Sequence, residues 1–163
     1  MSAVRALIVS DIHSNLEAFQ AVLEDCQRRG GLDDVWCLGD VVGYGADPEA
    51  CLDLLYHHAV TAVAGNHDHG VLGKVDLRHF NEDAAAAGLW TARRLSPQYL
   101  DRLARLPETI VREPFTLVHG SLRAPVWEYL LSAEAALATF RLLTTPCCLV
   151  GHSHLPFVCR ETE

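Results

Sequence analysis

No apolar run in this 163-residue chain is long enough to cross a bilayer, so a membrane-spanning helix is not expected. The start of the chain, Met1-Ser2-Ala3-Val4-Arg5, lacks the layout of a secretory signal and leads directly into a short apolar segment. Together these absences point to a cytoplasmic protein with no membrane partner. Cys-x-x-Cys is also missing. The six cysteines, Cys26, Cys37, Cys51, Cys147, Cys148 and Cys159, therefore suggest neither a zinc ribbon nor a thioredoxin-like site. In a chain able to build a core without staples they read as small buried hydrophobes rather than a disulfide framework. Basic charge is scarce as well: 13 Lys and Arg against 21 Asp and Glu leave a formal charge of −8. Such a surface repels phosphate backbones, which argues against a nucleic-acid partner. An acidic substrate would need a local source of positive charge, and metal ions could supply it. There is no internal repeat, low-complexity tract or linker, so residues 1–163 are expected to form one domain.

What the chain does contain is an alternation of short apolar runs and amphipathic segments. Val4 to Ser10 reads as a buried strand. Leu16, Phe19, Val22, Leu23 and Cys26 then recur at helical spacing until Gly30-Gly31 stops the helix. Val35 to Leu38 is a second strand, Asp47-Pro48 starts a second helix, and Val60 to Ala64 is a third strand. This order indicates an α/β protein with a largely parallel sheet covered by helices. Helices are expected over Glu82 to Arg94, Pro97 to Leu106 and Ser132 to Leu143. Short strands are expected at Thr109 to Arg112 and Phe115 to His119, as a hairpin of a second sheet, and at Cys147 to Val150 and Phe157 to Arg160.

Five places share one pattern, in which a strand ends, often beside glycine, and metal-ligating side chains follow. They are Asp11-x-His13, Gly39-Asp40, Gly65-Asn66-His67-Asp68, His119-Gly120 and Gly151-His152-x-His154. In open α/β sheets, sites form beyond the carboxyl ends of the strands, so these loops can converge. Imidazole nitrogens combined with carboxylate and amide oxygens suit Mn, Fe, Co, Ni or Zn better than Ca. Two such ions about 3.5–4 Å apart need a bridging carboxylate, for which Asp40 is the candidate. Each piece alone has a bland reading: Gly-Asn is a common turn, and a lone histidine such as His119 is more often structural. The ordered set, each member at a strand end, is what separates this chain from coincidence.

The series Asp11-Ile-His13, Gly39-Asp40, Gly65-Asn66-His67-Asp68, Val118-His119-Gly120 and Gly151-His152-Ser153-His154 resembles the signature of the calcineurin-like metallophosphoesterase superfamily. Gly39-Asp40-Val41-Val42-Gly43-Tyr44-Gly45 and His119-Gly120-Ser121 resemble its small prokaryotic phosphoesterase and phosphodiesterase branch. The resemblance implies an αββα sandwich of two mixed sheets flanked by helices. It implies one ion held by Asp11, His13, Asp40 and His154, and a second held by Asp40, Asn66, His119 and His152, with manganese favoured. It gives His67 the role of catalytic histidine, contacting the phosphate and assisting the leaving group. Hydrolysis of a small phosphate ester by metal-bound hydroxide follows, with a phosphodiester preferred over a phosphomonoester. The alternative is a non-catalytic metal-binding scaffold that keeps the fold.

Outside that set, Arg123 and His69 are candidate substrate contacts, and Asp68 is expected to accept hydrogen bonds that support its neighbours. Trp36, Trp90 and Trp127 read as core or pocket wall. Phosphoprotein phosphatases and symmetric dinucleoside tetraphosphatases carry a phosphate-clamping arginine soon after Gly-Asp; Val41-Val42-Gly43-Tyr44 has none. Gly43 stands where those enzymes place the aspartate that orients the catalytic histidine, and Asp47 is the substitute to consider. Family members also continue past Gly-His-x-His with several strands. Only residues 155–163 follow here, so a shortened C-terminus is expected, with an incomplete second sheet whose free edge invites a second copy.

Overall fold

The computed structural model describes residues 4–161. Its first half is three strands, β1 (Ala6–Val9), β2 (Asp34–Cys37) and β3 (Val60–Ala62), paired in parallel in the order β1-β2-β3. Parallel neighbours need crossovers, and two helices supply them: α1 (Leu16–Arg28) and α2 (Pro48–Tyr56). Asn15 caps α1 by accepting the amide of Ala18 at 3.0 Å, while Pro48 opens α2 with its ring already set to helical φ.

Four helical segments follow β3. They are α3 (Asn66–Val71), a 3₁₀ turn (Leu77–His79), α4 (Glu82–Arg94) and α5 (Pro97–Ala104). A second sheet is built from β4 (Thr109–Arg112), β5 (Phe115–Val118) and β6 (Cys147–Leu149), with α6 (Ala133–Leu142) between the last two. β4 pairs antiparallel with β5, the hairpin expected from the sequence, and β6 pairs parallel with β5.

Along β2 the side chains alternate, and the alternation divides the core. Val35 and Cys37 join Phe19, Leu23, Leu52, Leu55 and Leu103 on the helical side. Trp36 and the following Leu38 join Val63 and Leu117, with Phe115, Ile110 and Leu149 packed around them, between the two sheets. The order is thus helices, parallel sheet, mixed sheet. Each fully buried leucine in the helical layer contributes roughly 1.5–3 kcal/mol of apolar burial, so this layer anchors the parallel strands. Because β1, β2 and β3 run the same way, their outgoing loops leave from one edge. The amides of Asp11 and His13 bond the carbonyls of Gly39 and Asp40, each at 3.0 Å, stitching the first two loops together. Gly151 donates its amide to the His119 carbonyl at 2.9 Å, doing the same for β5 and β6.

Four expectations need correcting. The first sheet is wholly parallel among the described residues, and only the second is mixed. Phe157 to Arg160 forms no strand; these residues are exposed, with no described neighbour to pair with. Trp90 faces outward on α4 rather than lining the core. Of the cysteines, only Cys37 and Cys51 are buried, and Cys147 and Cys159 are exposed; all six are free thiols. No helix among the described residues is long and apolar enough to cross a membrane.

Candidate metal centre

The loops leaving β1, β2, β5 and β6 and the start of α3 bring eight donor side chains to one edge of the two sheets. Three overlapping groups have their ligand atoms within 4.8 Å of one another: Asp11, His13 and His154; His13, Asp40 and His67; and Asp40, His119 and His152. Asn66 joins the last group, its Oδ1 3.1 Å from His119 Nε2. Asp40 belongs to two of the groups and lies between them. Its Oδ1 accepts the backbone amide of His67 at 2.9 Å, which leaves Oδ2 facing His119 Nε2 at 3.3 Å and His13 Nε2 at 3.8 Å.

The imidazoles are oriented for ligation. His13 Nδ1 lies 3.2 Å from the Val42 carbonyl, His119 Nδ1 2.7 Å from that of Leu38, and His152 Nε2 3.1 Å from that of Trp127. A carbonyl only accepts, so each of these nitrogens carries the proton. When the ring is neutral, its opposite nitrogen keeps a lone pair pointing into the cluster, which is the arrangement metal-ligating histidines require. His154, the most exposed member, sets Nε2 3.1 Å from Asp11 Oδ1 and 3.2 Å from His13 Nε2. Two nitrogen lone pairs that close repel unless a cation or proton sits between them. His119 Nε2 and His152 Nδ1 repeat this contact at 3.2 Å.

Backbone strain collects at the same residues. Asp11, His13, Asp40, His152 and His154 all have φ between 50° and 65°, in the left-handed region that non-glycine residues seldom adopt. Strain of this sort persists only where surrounding structure imposes it, and it concentrates at ligand-binding sites. Glycine provides the room. A Cβ on Gly65 would stand 2.0 Å from Asp40 Oδ1, so this position admits no side chain while Asp40 keeps its place.

Asp68 is the clasp. Its Oδ2 accepts the amides of Asp40 and Gly65, each at 2.9 Å, and its Oδ1 accepts that of Val42 at 3.2 Å. One buried carboxylate thereby fixes the loop after β2 to the start of α3. Burial, with the charge of Asp40 beside it, pushes the Asp68 carboxyl up to about 7 even though three amides favour the ionised form. At Asp40, burial works against ionisation, but the nearby His119 outweighs it and holds the carboxyl down at about 2. His119 shows the reciprocal effect: burial opposes its charge, Asp40 favours it, and the net result is about 9. Burial lowers His13 and His152, and it takes His67 down to about 4.

His67 sits on the first turn of α3, its ring packed between those of Tyr44 at 4.7 Å and Phe80 at 4.9 Å and edge-on to His13 at 4.7 Å. A Cβ on Gly43 would lie 2.6 Å from His67 Nδ1, so the backbone of Gly43 closes the side of the ring where an orienting carboxylate would otherwise sit. Asp47 instead stands at the N-cap position of α2, where its side chain makes no capping hydrogen bond, and ring packing holds His67 in place. The resulting cleft, about 220 Å³, is lined by His13, Asp40, Asn66, His67, His152 and His154 together with Tyr44, Tyr129 and Ser153. Sequence reasoning did not single out Tyr129, which stacks on His152 at 3.8 Å and 15°, nor Tyr44 in the cleft lining, nor Phe80, which packs against His67. These aromatics stand far apart in the chain and follow no spacing that would group them.

Two expected substrate contacts lie outside the cleft lining. Arg123 is bound by Glu128, which also accepts the Ser121 hydroxyl, and this knot shapes the loop that presents the Trp127 carbonyl to His152. His69 is buried beneath the cleft, with Nδ1 3.8 Å from Glu108.

A model of the calcineurin-like phosphoesterase superfamily domain matches residues 4–163. The chain belongs to that superfamily. It is similar to an uncharacterized protein of Methanocaldococcus jannaschii, 42% identical over an alignment of 161 residues that covers 94% of this chain and 64% of the relative. The crystal structure of a metallophosphoesterase from Sphaerobacter thermophilus superposes with a TM-score of 0.82 at 44% identity, over 95% of this chain and 62% of that one. A symmetrical bis(5'-nucleosyl)-tetraphosphatase of Haemophilus ducreyi is 28% identical over 125 residues, 74% of this chain and 46% of that enzyme. The chain thus spans less than two-thirds of the length of each of these relatives. The fold, two small sheets flanked by helices, is that of the superfamily, and the His/Asp cluster is able to hold divalent metal.

Proposed function

We propose that this superfamily member is a dinuclear metal-dependent phosphoesterase that prefers phosphodiesters. One ion would be held by Asp11, His13, Asp40 and His154, the other by Asp40, Asn66, His119 and His152, with manganese the favoured metal. The observation that carries the reading is the placement of Asp40 Oδ2 between His119 and His13, with the remote N–H of three imidazoles tied to backbone carbonyls. Bound divalent ions would supply Lewis acidity, acidifying a water near neutral pH and offsetting negative charge on the phosphate.

The chain's own residues do the rest. Asp40 fixes the spacing of the two donor groups. Asp68 keeps the Asp40 backbone still. His67, held by Tyr44 and Phe80 and lining the cleft, passes a proton to the departing oxygen in its protonated form, which burial disfavours and an anionic phosphate beside it would favour. Tyr44 and Tyr129, both in the cleft lining, limit water around the phosphate.

Charge supports the diester. No arginine or lysine lines the cleft among the described residues, and Arg123 is held by Glu128. A phosphodiester carries one negative charge and a monoester close to two at neutral pH. The cleft without a fixed cation therefore suits the former. The test is hydrolysis of bis(p-nitrophenyl) phosphate and p-nitrophenyl phosphate by Mn²⁺-loaded protein, beside His67→Ala. Faster turnover of the diester and a loss of about 10²–10⁴-fold in the variant are expected. Protein that binds metal yet hydrolyses neither ester would favour the scaffold reading.

A further inference from the structure

A second groove of about 380 Å³ opens beside the metal cleft, lined by Val75, Asp76, His79 and Trp127. Phe80 connects one residue of each lining. Its ring packs edge-on against His67 at 4.9 Å on one side and against Trp127 at 5.1 Å on the other. His79, also in the lining, stands 6.3 Å from Trp127, again edge-on. Trp127 is 38% exposed here, although an indole is among the most favourable side chains to bury. Its backbone is tied to the centre, since its carbonyl accepts the proton of His152 Nε2. Asp76, the charged group in the lining, has its carboxylate engaged by Arg78, so the groove presents mainly apolar and aromatic surface.

We propose that this groove is a subsite for a nucleobase on the substrate, resting on the phosphoesterase reading above and adding the class of ester to it. A phosphate at the donor cluster would lie beside His67. A ring on Trp127 would lie two ring-to-ring steps further on, past Phe80. An aryl group bonded directly to the phosphate oxygen falls short of that span, whereas a base carried on a sugar spans it. Stacking on the indole recognises the face of the base, and the His79 ring offers a second aromatic edge beside it. Such a subsite tolerates different bases, because every base offers a π-face.

Three substrates with a common p-nitrophenolate leaving group test this: methyl p-nitrophenyl phosphate, phenyl p-nitrophenyl phosphate and thymidine 5'-(p-nitrophenyl phosphate), each with Mn²⁺-loaded protein. The thymidine ester should exceed both others in kcat/KM by at least about fivefold, mostly through KM. Trp127→Ala and, independently, Val75→Asp should bring that ratio towards one, while Trp127→Phe should keep part of it. A readout independent of turnover is the binding of adenosine 5'-phosphate against ribose 5-phosphate, where the same preference should appear and vanish in Trp127→Ala. A ratio near one in the parent protein, or one unaltered in both Trp127→Ala and Val75→Asp, would overturn the subsite and leave the phosphoesterase reading standing. Hydrolysis of none of the three esters by metal-loaded protein would overturn that reading itself.

Discussion

Replacing Asp68 by asparagine changes one buried side chain and probes the connection between the loop after β2 and the helix carrying Asn66 and His67. In the parent protein both carboxylate oxygens are occupied, Oδ2 by the amides of Asp40 and Gly65 and Oδ1 by that of Val42. Asparagine can present its one carbonyl oxygen to the first two. Its NH₂ then confronts the Val42 amide, donor against donor. An orphaned buried N–H costs about 1–3 kcal/mol, and the two remaining bonds lose the strengthening that a charged acceptor gives. The expected loss is about 2–4 kcal/mol, a large part of the roughly 5–15 kcal/mol that stabilises an ordinary domain. Urea denaturation of chelated protein at pH 8 measures it. That pH lies above the value near 7 to which burial and Asp40 push the Asp68 carboxyl, so the parent residue is ionised. Manganese affinity should fall by about 10–100-fold in the same variant, because the Asp40 backbone is no longer held. A variant within about 0.5 kcal/mol of the parent, with unchanged manganese affinity, would refute the argument.

Three further outcomes follow from the same geometry. Manganese at about 100 times its dissociation constant should stabilise the fold by about 2.7 kcal/mol per independent site, raising Tm by about 5–10 °C, a gain that chelation reverses in differential scanning calorimetry. Acidification should weaken metal binding, because the histidines ligate only as neutral imidazoles; burial disfavours the proton on His119, but Asp40 retains it up to about 9, so a metal must displace it at neutral pH. Apparent affinity should then rise with pH between about 6 and 9, and titrations in buffers of different ionisation enthalpy should reveal proton release. Glu128→Ala removes the group that ties Ser121 and Arg123 into one loop and should free the Trp127 carbonyl from His152. A fall of about tenfold in metal affinity, with Glu128→Gln intermediate, is expected by calorimetry.

Much of the donor cluster was legible in the sequence because each donor follows an apolar strand at a glycine-rich stop, and strand ends of one parallel sheet must share an edge. The segment Asn66 to Val71 was less legible. It reads as a turn after β3, since Asn66, His67, Asp68 and Gly70 are poor helix formers, yet it forms α3. Tertiary bonds override that preference: Asp68 accepts the Gly65 amide at the helix start, and Asp40 accepts the amide of His67. Phe157 to Arg160 shows the reverse. Its apolar residues have the composition of a strand, but a strand needs a neighbour, and the described residues offer it none. Arg123 looked free in sequence because Glu128, its partner, lies five residues away on the far side of a turn. Whether Tyr44, Phe80 and Tyr129 form walls depends on how three loops pack, which no local pattern encodes.

The central claim, that two ions sharing Asp40 form a hydrolytic centre, is tested most directly by titrating metal-free protein with Mn²⁺ while following hydrolysis of bis(p-nitrophenyl) phosphate. Turnover should rise to a plateau at about two equivalents of metal per chain, as a bridged pair requires. A plateau at one equivalent, or metal uptake without hydrolysis, would contradict it.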